Sequence, residues 1–297
     1  MVRSPEEKVA RPDRFRLGYG RVWTGGSPDD AHRIPESRGG ERFAVTTPTL
    51  PQVGPPSELV LIAAAEVEYQ AIAKACGSLA SPTGTTALGP GVTLHRVGVG
   101  KVNAAIGTSR VLLGGRGRDG VLVVSVGIGG ALPAGEGFAH GLLEVVVAER
   151  SCYGDEGKVT PGGFVDCWAM GFPPGDFPAS GVAGDAWLLG AAAEMSGAGW
   201  RAVRGTVATV STCSGTDALA AEIVRRTGAT VEAMEGAAVG QTVRAIGAGG
   251  GETARFAELR VISNTTGDAG KQVWQIRPAL ERLGAAAAEL VRCVVPA

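Results

Sequence analysis

Short runs of Val, Leu, Ile and Ala alternate along this chain with stretches of helical spacing, and most runs stop at glycine or small polar residues. That alternation constrains the fold more than any single motif. Runs that are apolar at every position suit strands covered on both faces, as in parallel sheets. Residues 58–63 predict a first strand, and helical spacing follows from Ala65 to Gly77. A strand at 93–97 leads through Gly98-Val-Gly-Lys into a helix ending at Leu113. The run 121–126 is the clearest central strand and ends in Gly127-Ile-Gly-Gly. Further strands are expected over 142–148, 204–210, 230–234 and 259–263, with helices over 185–195, 216–227, 235–246 and 278–294. The stretch 153–178, rich in Gly, Pro and Asp, reads as a long ordered loop. Strands alternating with helices imply right-handed crossovers. The expected fold class is therefore α/β, a three-layer sandwich around a central, largely parallel sheet. Ligands in such folds sit beyond the carboxyl ends of the strands.

Composition narrows the functional classes. Hydrophobic residues make up 44% of the 297 and aromatics only 5%, so the core must be packed from small aliphatic side chains. A formal net charge of −1 gives nucleic acid or an anionic membrane nothing to attract in bulk. No apolar run approaches the roughly 18–20 residues needed to span a bilayer, and the N-terminus is charged rather than signal-like. The five cysteines (Cys76, Cys152, Cys167, Cys213, Cys293) are scattered and lack C-x-x-C spacing, which reads as reduced thiols in a cytoplasmic protein. His32, His95 and His140 are isolated too, so neither metal nor cofactor is expected. Residues 1–57 have few periodic apolar positions and close on Pro51, Pro55 and Pro56. They read as a disordered or loosely attached extension, or as an upstream start codon wrongly chosen, ahead of one domain over 58–297.

The candidate site residues fall at strand ends. Glu235 opens a helix after a short extended segment ending at Met234, where free N–H groups and the helix dipole favour an ionised carboxylate. Such a group can accept two hydrogen bonds from a vicinal diol, although on its own it reads equally as a helix cap. Glu66 and Glu68, spaced by two at a helix start, point in different directions, so only one can face a pocket. Gly98-x-Gly100 before Lys101 suggests a phosphate cradle, but the complete dinucleotide and P-loop patterns are absent. Gly127 and Ile128 end the central strand where backbone can approach a flat ligand. The segment 211–217 offers Ser214 and Gly215 to a base, or Ser214 and Thr216 to a helix cap. Asn264 presents a donor and an acceptor together, matching the edge of a 6-oxopurine. Asp268 reads equally as a turn residue. No nucleophile elbow occurs and no histidine lies near a candidate Ser or Cys, which disfavours covalent acyl chemistry.

Together these pieces resemble the nucleoside phosphorylase/nucleosidase superfamily, and within it the futalosine hydrolases. The resemblance spans roughly residues 58–294. It rests on Ala-Ala-Glu-Val-Glu-Tyr (64–69), Gly-Val-Gly-Lys-Val-Asn-Ala-Ala (98–105), Val-Ser-Val-Gly-Ile-Gly-Gly-Ala (124–131), Glu-Ala-Met-Glu-Gly (232–236) and Ile-Ser-Asn-Thr-Thr-Gly-Asp (262–268), with Trp274 after the last. It implies a mixed, partly barrelled sheet and hydrolysis of the N-ribosidic bond of futalosine, releasing hypoxanthine on the alternative menaquinone route. By matched position it implies that Glu68 orients or deprotonates the attacking water and that Glu235 holds the ribose diol. Met234 would lie against the sugar, Gly127 and Ile128 would line the ribosyl region, and Asn264 would bind the base. For purine N7 the resemblance leaves three routes: stabilisation by hydrogen bonding, a proton from solvent, or Asp268 as the acid. It also implies a small-molecule nucleoside as partner and a homo-oligomer as assembly. Where members of the superfamily often carry an Arg-Asp pair, this chain has Ala269-Gly270. A nucleoside phosphorylase and a catalytically silent nucleoside-binding protein are the competing expectations. The aromatics of the 153–178 loop, Phe164, Trp168 and Phe172, are candidates for covering the benzoate end of futalosine.

Overall fold

The computed structural model describes residues 54–115, 120–247 and 254–294. Most of the expected N-terminal extension, residues 1–53, lies outside the described residues. Strand β1 (Glu58–Ala63) leads into α1 (Glu66–Ala75), β2 (Thr85–Gly89), β3 (Val92–Arg96), α2 (Lys101–Leu113) and the long strand β4 (Val121–Ala131). The short β5 (Pro133–Ala134) and β6 (Gly137–Phe138) precede β7 (Val145–Tyr153), the hairpin β8 (Gly157–Thr160) and β9 (Gly163–Asp166), β10 (Val182–Ala183) and α3 (Ala186–Ala191). The chain closes with β11 (Ser196–Gly197), β12 (Trp200–Thr209), α4 (Asp217–Thr227), β13 (Val231–Ala233), α5 (Gly236–Gly247), β14 (Arg255–Thr265) and α6 (Ile276–Val294).

The main sheet runs β10-β7-β12-β13-β4-β1-β3-β2, and β14 pairs with both β4 and β7. Strands β7, β12, β13, β4 and β14 therefore close into a ring, from which β1, β3 and β2 extend as an open wing. The sheet is mixed. Its β1–β3, β1–β4, β12–β7, β12–β13 and β14–β4 pairs are parallel, while β13–β4, β14–β7, β10–β7 and β2–β3 are antiparallel.

Alternation along β1 shows how the layers form. Leu59, Leu61 and Ala63 face a core shared with Tyr69 and Ile72 of α1 and Leu283, Ala286 and Leu290 of α6. Val60 and Ile62 face the other core, with Ala104 of α2 and Val239 and Val243 of α5. Burial of this kind stabilises by roughly 25 cal/mol per Å² of apolar surface. Gly284 lets α6 settle on α1, because a Cβ there would stand 2.8 Å from the Ala71 carbonyl oxygen.

Three of the differences from expectation bear on the site. The Gly127–Gly130 stretch is not a turn: β4 continues through it to Ala131, held by β14 on one side and β13 on the other. Strand β14 starts at Arg255 and reaches Thr265, so Asn264 is a strand residue at a register shift. The 153–178 loop folds part of its length into the β8–β9 hairpin. Among the described residues no helix is long and apolar enough to cross a membrane.

Candidate active site

Glu68 sits in the first turn of α1 and folds back, its Oε2 accepting from the Ala65 amide at 2.9 Å. Its Oε1 accepts from the Ile128 amide at 2.9 Å, which ties α1 to the middle of β4. Glu66 turns outward instead, pairing with Arg96 and accepting from Gln70. That divergence is what a spacing of two on a helix dictates.

Glu235 precedes α5 but does not cap it. Thr209 Oγ1 does so, accepting from the Ala237 amide at 2.8 Å. The Glu235 side chain crosses to the start of α2, where Oε1 accepts from the Gly100 amide at 3.0 Å. Gly100 has φ 91°, a left-handed value that glycine adopts without strain. The Gly98-x-Gly100 turn thus presents its donor to a carboxylate of the protein itself. Lys101 is likewise engaged, by Asp155 and by Glu156 at 2.9 Å.

Both carboxylates converge on Arg260, which is fully buried in β14. Its Nη1 lies 3.4 Å from Glu235 Oε2. A Cβ on Gly127 would stand 2.5 Å from Arg260 Nη1 and 2.6 Å from Glu68 Oε1, so glycine is what allows the guanidinium and the carboxylate to close over the strand. The remaining Arg260 donors are used within the core: Nε donates to Glu258 Oε1 at 2.7 Å and Nη2 to Ser125 Oγ at 2.8 Å. Glu258, wholly buried, also accepts from Ser151 Oγ, and its carboxylate abuts Gly236 at the start of α5, where a Cβ would collide with it. One guanidinium thereby pairs with Glu235 and Glu258, and its charge also acts on Glu68. Burial pushes the Glu68 carboxyl above its ordinary value, opposed chiefly by the Arg260 charge and then by its two backbone donors, with Glu235 adding to the rise.

Asn264 stands opposite Gly130 across β14 and β4. Its Oδ1 accepts from Ser263 Oγ at 2.8 Å and its Nδ2 donates to the Thr265 carbonyl at 3.0 Å. Ser214 is buried, and both its amide and its hydroxyl donate to the Glu232 carboxylate. Gly215 next to it is exposed and accepts from the Ala269 amide. Met234 is half-buried, one residue before Glu235.

Asp268 does not join this group. Gly267, with φ 103°, turns the chain to the surface. There Asp268 accepts from the Asp217 amide at the start of α4 and from Lys271 Nζ at 2.9 Å. The bond from Lys271, then that from the Asp217 amide, hold its carboxyl below the usual range. Thr216, not Ser214, caps α4, accepting from the Leu219 amide. The loop aromatics are committed elsewhere as well. Trp168 packs edge-on against Phe177 and donates to its carbonyl, Arg226 lies over the Phe164 ring, and Phe172 is exposed. Phe164 and Trp168 line a cleft with Tyr153, Arg225 and Arg226 rather than with Glu68 or Glu235.

Sequence reasoning did not single out Arg260, Glu258 or Glu232. The available signal was charge at every second position of an otherwise apolar strand, Glu258-x-Arg260, which puts opposite charges on one buried face.

The family model of the phosphorylase superfamily matches residues 42–296. The chain belongs to the phosphorylase superfamily. Within that superfamily it is 36% identical over 174 residues to a futalosine hydrolase of Acidothermus cellulolyticus, a match covering 57% of this chain and 64% of that relative's length. Among solved structures its fold is similar to the 5'-methylthioadenosine/S-adenosylhomocysteine nucleosidase of Neisseria meningitidis in complex with methylthio-immucillin-A. The TM-score is 0.60 at 20% identity, covering 80% of this chain and 99% of that one. The nucleosidase of Colwellia psychrerythraea in complex with adenine is similar to the same degree, with TM-score 0.59, 20% identity, and 80% and 95% coverage. At such identities the likeness establishes the fold.

Proposed function

We propose that this protein is a nucleosidase that cleaves the N-ribosidic bond of futalosine with water, releasing hypoxanthine and dehypoxanthine futalosine for menaquinone synthesis. The reading rests on one observation: Glu68 and Glu235, from different elements, meet across a single guanidinium beside the bare backbone of Gly127. N-glycosidic cleavage passes through a ribosyl cation, so it needs negative charge near the sugar, a positioned water, and relief of charge on the departing base. Glu68 takes the proton of the attacking water. Glu235 accepts from the ribose 2′ and 3′ hydroxyls, and Met234 lies against the sugar. Gly127 and Ile128 line the water and ribosyl region. Asn264 stabilises the base by hydrogen bonding, with no titratable proton of its own. Asp268, ionised at the surface, is left out of the acid role.

Arg260 keeps two like charges close enough to serve one sugar, since without it their repulsion would push one to protonate. Its commitment to Glu258 and Ser125 also leaves it poorly placed to hold inorganic phosphate, which favours hydrolysis over phosphorolysis. The superfamily relative named as a futalosine hydrolase supports the substrate. The test is a product assay on futalosine, its 6-amino analogue and inosine, with and without phosphate. Hypoxanthine release from futalosine that needs no phosphate and disappears in Glu235→Ala is expected. Ribose 1-phosphate formation, or tight binding without turnover, would overturn the reading.

A further inference from the structure

Lys101 is the first residue of α2, and no acidic side chain shares that first turn. A cation there faces the positive end of the helix dipole, which disfavours it. The placement is offset from elsewhere in the chain. Lys101 Nζ donates to Asp155 Oδ1 and, at 2.9 Å, to Glu156 Oε1. The Lys101 side chain is 11% exposed and that of Asp155 22%, so theirs is not a solvated surface pair of little worth. Asp155 turns its second oxygen to the end of β12, accepting from the amides of Ser211 at 2.6 Å and Thr212 at 3.1 Å.

These contacts close a ring that passes through the residue assigned to the ribose. From β12, Thr209 Oγ1 accepts from the Ala237 amide and so fixes the start of α5, just after Glu235. The Glu235 carboxylate reaches the Gly100 amide at 3.0 Å, directly before Lys101. From Lys101 the ring returns through Asp155 to Ser211 and Thr212, just past Thr209. The turn that carries Asp155 is tied to the same elements. The Gly154 amide donates to the Thr209 carbonyl at 2.9 Å, and Tyr153 donates its hydroxyl to Gln241 of α5 at 2.6 Å. The Tyr153 ring also lies 5.2 Å from Lys101 Nζ. Glu235 is thus held by the Gly100 amide on one oxygen and by Arg260 on the other, and each oxygen keeps a lone pair for a further donor.

We infer that Lys101 and Asp155 are positioning residues that hold the Gly100 amide against Glu235, and so fix the angle at which that carboxylate meets the 2′ and 3′ hydroxyls of the sugar. The inference rests on the nucleosidase reading and names what orients its grip on the ribose. Accepting from two adjacent hydroxyls requires a fixed carboxylate plane, and a small misplacement is costly where binding secures orientation. Without Lys101 the start of α2 is released from Asp155. The Gly100 amide then withdraws, and Glu235 turns toward Arg260, which draws it from the other side.

Calorimetry on the full chain separates this role from a merely structural one. The probes are 9-deazainosine, whose carbon–carbon bond to the sugar water does not cleave, its 2′-deoxy counterpart, and hypoxanthine, which has no sugar. Wild type is expected to favour the ribose form, and Lys101→Met and Asp155→Asn to lower that preference by about tenfold or more. Hypoxanthine should bind wild type and Lys101→Met alike. An unchanged preference in the variants, an equal loss on all three probes, or no preference in the wild type overturns the inference. Should neither variant fold, hydrogen exchange on the wild type decides. Adding 9-deazainosine is expected to slow the Gly100, Ser211 and Thr212 amides together; protection of Gly100 alone, or of none, overturns the inference. A ribose preference that the variants lose, without hypoxanthine release from futalosine, would fail the nucleosidase reading and leave the inference standing. Release from futalosine with the preference untouched in the variants would do the reverse.

Discussion

Arg260 carries one positive charge among Glu68, Glu235 and Glu258, and burial outweighs that charge in deciding how Glu68 titrates. Burial raises the carboxyl more than Arg260 lowers it, so its protonation equilibrium lies above the ordinary 4.5. A base must be ionised to accept a proton, so kcat/KM is expected to rise with pH along a limb displaced upward from a normal carboxylate. A pH–rate profile checks this, and Glu68→Gln should remove the limb while lowering kcat by about 10²–10⁴-fold. Removing the guanidinium is a different kind of change. Arg260→Met leaves buried carboxylates uncompensated and should cost about 3–5 kcal/mol in a urea titration, because breaking a buried ion pair exposes the full desolvation penalty of its partner. Glu68 and Glu235 were legible in the sequence because each sits at a strand end followed by a helix. Arg260 was not, since nothing local distinguishes a charge buried in a strand from one at its solvated edge.

At the scale of elements, the packing of α5 against β14 depends on Gly236. A Cβ there would collide with the Glu258 carboxylate, and the residue before it is Glu235. Gly236→Ala should therefore destabilise by about 1–3 kcal/mol and abolish turnover together, as α5 shifts and carries Glu235 with it. Gly190 in α3 is the contrasting case, exposed and with nothing within 4 Å of an added Cβ. Gly190→Ala should be neutral or stabilise by up to about 1 kcal/mol, because alanine is the better helix former. Thermal melting of the two variants reads both outcomes. Helices α1, α2, α4, α5 and α6 follow from apolar spacing and punctuating glycines that lie within each segment. The extension of β4 through its glycines does not, for glycine reads as a turn until β13 and β14 supply partners on either side.

For the whole molecule, the buried acids set the pH response of stability. Glu68 and Glu232 are both raised on folding, so the stability each contributes is complete below the ordinary 4.5 and is lost as pH climbs through the raised value. Replacing Glu68 by Gln removes its share of that loss. Relative to wild type, the variant should therefore fare better at about pH 8 than at about pH 5, as urea midpoints at the two conditions would show. The sequence alone determined the layered α/β class and the placing of Glu68 and Glu235 at strand-to-helix junctions, because periodicity and helix punctuation are written among neighbours in the chain. Closure of β7, β12, β13, β4 and β14 into a ring, the meeting of Glu68 and Glu235 over Arg260, and the pairing of Glu232 with Ser214 were decided only by tertiary structure. Those contacts depend on register between strands distant in sequence, and a one-residue slip would turn each side chain to the other face.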